Sequence, residues 1–144
     1  MRRRRGEPAA DEAALDTSAL YAIFDDEEQA ERLLDGLDRY ARLCISAGTL
    51  AELSILLLAR RGPEAVDDLD RFLVAYAVEI VPVDLQAVRW VREGFAAFGK
   101  GMGNRARLNF GDLFAYALCR EREIPLFFQG ADFAETDLAD ASRG

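Results

Sequence analysis

Short apolar runs alternate along the chain with longer segments in which apolar residues recur every three or four positions. The runs at 13–15 (AAL), 42–46 (RLCIS), 79–83 (EIVPV) and 125–129 (PLFFQ) have the length of buried strands. Between them, 26–41 places Ala30, Leu33, Leu34 and Leu37 on one helical face. Segments 63–77 and 84–99 do the same, with Leu69, Phe72 and Leu73 in the first and Val88, Val91 and Phe95 in the second. Segment 49–62 closes on two arginines before Gly62 and Pro63, a common helix stop, and its LSILLLA stretch is apolar around its whole circumference. Most of that stretch is expected to bury against the sheet, leaving part to face another chain. Strands alternating with helices predict an α/β domain with a mainly parallel central sheet of about four to five strands, flanked by helices and crossed over right-handedly.

Composition narrows the chemistry more than the fold. The 144 residues fit one domain, 13–144, preceded by an arm at 1–12 that is expected to be disordered: four arginines, then Gly6, Pro8 and polar residues. That arm reads as a tail without a role, or as an upstream start codon, in preference to an RNA-binding element. It has a signal peptide's positive charge but no apolar stretch after it, and no run reaches membrane-span length, so the expected location is the cytoplasm. Cys44 and Cys119 lack CxxC spacing and read as core residues. The chain contains no histidine. This excludes the usual zinc sites, the Ser-His-Asp triad and imidazole acid-base steps, and leaves chemistry mainly to carboxylates. A net charge of −8 argues against holding nucleic acid on a broad basic surface, although cations can offset carboxylates at a phosphodiester.

In a parallel sheet, ligands gather beyond the carboxyl ends of the strands. Asp16 ends the first strand, Glu52 lies on the first turn of the helix after the second, and Asp132 follows the last. Asp112 belongs to a helix (LNFGDLFAYALC, 108–119) that must run antiparallel to the final strand, which brings its N-terminus to the same edge. Each acid also has a local explanation. Asp16 can cap the helix near Ser18, Thr49-x-x-Glu52 has capping-box spacing, and Asp112 stands three residues after an Asn109 N-cap. Several acids on one rim nevertheless repel one another unless a cation sits among them, and oxygen ligands without His or Cys suit Mg²⁺ or Mn²⁺. Asp112 would be presented by a rigid helix whose neighbours Phe110, Leu113, Phe114 and Leu118 lock it into the core. The loop at 99–109 carries Lys100, Arg105 and Arg107 and no acid; it could hold a phosphate backbone or be an ordinary surface loop. It lacks the Gly-Lys-Ser/Thr ending of a P-loop, which argues against ATP.

Over residues 13 to 137 the pieces LDTSAL, ISAGTLAELSILLLARRG, FGKG, LNFGDLFAYALCRE and PLFFQGADFAETDL, in that order, resemble PIN-domain ribonucleases, specifically VapC-type toxins of bacterial toxin-antitoxin pairs. The resemblance implies a PIN-like fold, a Mg²⁺- or Mn²⁺-dependent endoribonuclease, a homodimer, and a cognate VapB-like antitoxin whose tail blocks the acidic cleft. It matches Asp16 and Asp112 to the family's principal metal-binding aspartates and Glu52 to its helix glutamate. For the fourth acid, many relatives carry aspartate where this chain has Gly130, leaving Asp132 and Asp137 as candidates. The chain departs from the pattern in a first strand poor in Val and Ile and in lacking a histidine after the second glycine of the basic loop. Two rivals stand beside the ribonuclease: a catalytically silent PIN-fold module binding RNA or a partner protein, and a metal-dependent phosphatase of another α/β fold. Against the phosphatase, Ser18 stands where its second aspartate is usual.

Overall fold

Side-chain alternation along the strands divides the core in two. β1 (Ala10–Leu15) turns Ala13 and Leu15 to one face and Ala14 to the other, and β2 (Tyr40–Ser46) turns Leu43 and Ile45 one way and Cys44 the other. The computed structural model describes residues 10–25 and 27–143, so most of the expected arm, 1–9, lies outside the described residues. β1 lies centrally in a wholly parallel sheet of order β3-β2-β1-β4, with β3 (Glu79–Val81) and β4 (Leu126–Phe127) at the edges. Leu15, Ile45 and Phe127 pack with α1 (Thr17–Asp25), α2 (Glu27–Leu37), α3 (Ala47–Arg61) and α4 (Pro63–Ala75). Ala14, Cys44, Leu126 and Phe128 pack on the opposite face with α5 (Leu85–Phe98) and α6 (Phe110–Arg122). A sheet covered on both faces is the setting in which parallel strands are stable.

The strand ends differ from expectation for local reasons. β1 starts at Ala10, three residues early, because Glu12 is satisfied by Arg122 at 2.6 Å while the same guanidinium holds Glu79 at 2.9 and 3.0 Å. That ion cluster lets charged residues enter a strand that an apolar pattern misses. The small Ala13 and Ala14, both fully buried, admit helices from both sides, so a central strand poor in Val and Ile is sufficient. β3 stops before Pro82, which has no N–H to give the ladder. The helix expected over 26–41 ends at Leu37, and Tyr40 instead opens β2 with its ring edge-on to Phe127. On the outer edge of β4, Leu126 N–H donates to Ala139, and Arg39 and Tyr40 donate to the carbonyls of Ser142 and Ala141, so the C-terminal segment covers the edge.

Both cysteines are buried and unpaired. Close packing of α3 and α5 on α6 depends on two glycines: a Cβ on Gly48 would fall 2.4 Å from the Phe114 ring, and one on Gly94 2.5 Å from Tyr116. Phe110 does not join the core as expected. It is 74% exposed at the first position of α6, with its ring edge-on to Phe114. Phe95 is likewise exposed, and Gly94 takes the buried position on α5. No described helix is long and apolar enough to cross a membrane.

Candidate active site

Asp16, Glu52, Asp112 and Asp132 line one cleft of about 320 Å³ at the carboxyl edge of the sheet, together with Thr17, Ser18, Tyr21, Leu56, Gln129 and Phe133. Asp16 leaves the end of β1 and is 2% exposed. Its Oδ2 accepts from the backbone N–H of Ser18 at 3.0 Å and from the Ser18 hydroxyl at 2.6 Å. Its Oδ1 is buried without any hydrogen-bond partner. The cap therefore occupies one oxygen of the carboxylate and leaves the other unpartnered.

Asp112 is likewise engaged in a local cap. The N–H of Asn109 donates to Asp112 Oδ2 and the N–H of Asp112 donates to Asn109 Oδ1, both at 3.0 Å, a reciprocal box that starts α6. Burial pushes the Asp112 carboxyl up to about 7, against the opposing bond from Asn109, and the charges of Asp16, Asp132 and Glu52 push it further the same way. Asp16 is also raised, first by burial and less by Glu52, while the bonds from Ser18 oppose the shift.

Glu52 is not in the capping box that its spacing with Thr49 suggested. α3 begins earlier, capped by Ser46, whose hydroxyl accepts from Gly48 N–H at 3.2 Å, and Thr49 is wholly buried with its hydroxyl unpartnered. Released from capping, Glu52 receives the Thr17 hydroxyl at 2.8 Å on Oε1. Of the two candidates for fourth acid, exposed Asp132 reaches the cleft and Asp137 does not. Asp137 accepts from Arg120 at 2.6 Å and from the Tyr116 hydroxyl at 3.4 Å in a separate depression. Arg120 also lies 5.0 Å over the Trp90 ring, which ties this cluster to α5. Gly130 stands at φ 92°, a conformation that disfavours any side chain there.

Lys100, Arg105 and Arg107 are exposed on a loop whose base is closed by Lys100 N–H to Leu108 and Leu108 N–H to Phe98. None of the three is in an ion pair among the described residues. Thr17, Ser18, Tyr21 and Gln129 were not legible as site residues. Thr17 and Ser18 were signalled only by adjacency to Asp16, and nothing local marks Gln129, whose N–H donates to the Ser18 hydroxyl at 3.0 Å. Tyr21 lies under Arg60 and Arg61, whose hydrogen bonds lower its phenol below the usual value.

The donor set fits a hard divalent cation: all oxygen, buried on one side, with an orphaned carboxylate oxygen on Asp16. Among the described residues no three His, Cys, Asp or Glu side chains are drawn into a ready cage.

The fold and cleft define a class, an α/β domain with a carboxylate pocket at the carboxyl edge of a parallel sheet. The chain belongs to the PIN-domain family, whose model matches residues 13–138. It is 36% identical over 127 residues to Ribonuclease VapC42 of Mycobacterium tuberculosis, covering 88% of this chain and 97% of that protein. The same identity and length hold for Ribonuclease VapC28 of that organism, covering 96% of the relative. Among solved structures, M. tuberculosis VapC20, described as a Sarcin-Ricin loop cleaving toxin, superposes with a TM-score of 0.72 at 20% identity, over 89% of this chain and 97% of that one. VapBC2 from Rickettsia felis, bound to a DNA fragment from its promoter, gives 0.67 at 19% identity, over 89% and 96%.

Proposed function

We propose that the chain is a VapC-type toxin, a Mg²⁺- or Mn²⁺-dependent endoribonuclease acting in the cytoplasm and neutralised by a cognate VapB-like antitoxin. The observation that carries this reading is the convergence of Asp16, Glu52, Asp112 and Asp132 on one cleft, with Asp16 Oδ1 buried and unsatisfied. Asp16, Asp112 and Glu52 would hold the ion, and Asp132, exposed at the rim, would act through water. A bound divalent cation supplies Lewis acidity at the scissile phosphodiester and lowers the pKa of water beside it. The chain's own part is to orient. Ser18 keeps Asp16 in one rotamer, Asn109 keeps Asp112 at the start of a rigid helix, and Thr17 turns Glu52 toward them. In-line attack by water on phosphorus, with departure of the 3′ oxygen, leaves 5′-phosphate and 3′-hydroxyl ends.

The exposed Ile55 and Leu58 on α3, 69% and 53% accessible, support a homodimer. The test of the activity is incubation of RNA with the purified chain in Mn²⁺ or Mg²⁺ and in EDTA. Metal-dependent cuts with 5′-phosphate ends are expected. A folded chain that neither binds Mn²⁺ nor cuts would favour the silent binding module.

Lys100, Arg105 and Arg107 would hold the RNA backbone. Replacing all three with glutamine is expected to raise the RNA dissociation constant and to reduce the slope of log K against log salt by about 2, since each single-strand phosphate contact contributes roughly 0.7. Filter binding at several salt concentrations measures both, and an unchanged slope removes the loop from the interface.

A further inference from the structure

Glu52 is held from two sides, and each support adjoins another acid of the cleft. Thr17, next to Asp16, donates to Oε1. On the other side Oε2 lies against Gly111, next to Asp112, so closely that a Cβ at 111 would fall 1.9 Å from Oε2, 2.4 Å from Cδ and 2.6 Å from Oε1. The backbone does not explain this glycine. Residue 111 is helical, outside the positive-φ positions, and in α6 alanine would be the better helix former. The space explains it, because the three nearest tertiary neighbours of the missing Cβ are all atoms of the Glu52 carboxylate.

We infer that Gly111 is a positioning residue whose lack of a side chain sets where the Glu52 carboxylate stands relative to Asp112, and through it the affinity of the cleft for a divalent cation. The inference rests on the reading above in taking Glu52 as a ligand. Any side chain at 111 forces the carboxylate back by about 1.5 Å to regain an ordinary contact, since separations near 3.5 Å are the optimum for non-bonded heavy atoms. Glu52 is the flexible partner and gives way, so the cost falls on ligand geometry and not on the fold. A change of that size in ligand placement is large against the few tenths of an ångström that a preorganised site tolerates.

The experiment is a double-mutant cycle on the full chain, with Gly111→Ala made alone, with Glu52→Asp, and each variant titrated with Mn²⁺ by calorimetry and melted without metal. Gly111→Ala is expected to melt no earlier than wild type yet to bind Mn²⁺ about tenfold more weakly, the scale seen when groups that orient a ligand are lost. With the shorter Glu52→Asp side chain, adding Gly111→Ala is expected to cost little further, because the clash is gone. Unchanged Mn²⁺ affinity in Gly111→Ala, or the same loss in both backgrounds, overturns the inference while leaving the ribonuclease reading intact. A wild-type chain that binds no Mn²⁺ overturns both.

Discussion

Asp112→Asn is expected to fold and melt like wild type while losing RNA cleavage by about 100-fold or more. The magnitude follows because groups that merely orient a metal ligand are worth 10- to 100-fold, and the ligand itself should exceed them. The fold should survive because asparagine keeps an oxygen to accept from Asn109 N–H, so the box that starts α6 remains. Asparagine also removes a carboxylate that the cleft disfavours, through burial and then through Asp16, Asp132 and Glu52. The metal-free variant should therefore be at least as stable as wild type at pH 8, and more sharply so than at pH 5. Alanine at the same position would confuse the result by breaking the cap, at a cost of about 1 kcal/mol. Cleavage by Asp112→Asn at the wild-type rate would remove this residue from the site.

The second large effect is on pH. A carboxyl raised to about 7 in the folded chain, from an ordinary 3.8, keeps its proton between those two values, where an ordinary aspartate is already charged. Its contribution to the stability of the metal-free protein is complete below about pH 4 and is lost as pH rises toward 7, because the unfolded chain releases that proton more readily. Metal binding has the opposite dependence. A cation must displace the proton, so the Mn²⁺ dissociation constant should rise as pH falls below 7, approaching tenfold per pH unit and reaching about 50-fold between pH 7 and pH 5. Above pH 7 it should level off. The Mn²⁺-induced gain in Tm should follow, large at pH 8 and small at pH 5. Calorimetric titration at four or five pH values measures the dependence, and a flat Kd across that range would show that Asp112 gives up no proton to the ion.

Much of the site was legible because topology alone assigns an edge to each acid. Asp16 and Asp112 were found by asking which end of a strand or helix they occupy, and the cleft contains both. What a local pattern could not decide was the use of each oxygen. Thr49 and Glu52 have capping-box spacing, but α3 starts at Ala47, two residues before Thr49, and the spacing then means nothing. The sequence placed Asp132 after the last strand and kept Asp137 as a second candidate for the fourth acid. Arg120 on α6 holds the second away from the cleft. Phe110 reads as core by its apolar side chain and is exposed at the first position of α6.

Taken by itself, the order of apolar runs and helical periods determined a parallel sheet clad in helices, and the absence of histidine left carboxylates as the main candidates for chemistry. Those properties reside in periods of 2 and 3.6 residues and in composition, both visible within a short window. Tertiary structure alone decided that Glu52 is held by Thr17, 35 positions away, that Gly111 leaves it room, and that one oxygen of Asp16 stays buried and unsatisfied. Such facts depend on where whole helices come to rest, and that is set by the packing of both sheet faces together and not by the residues adjoining each acid.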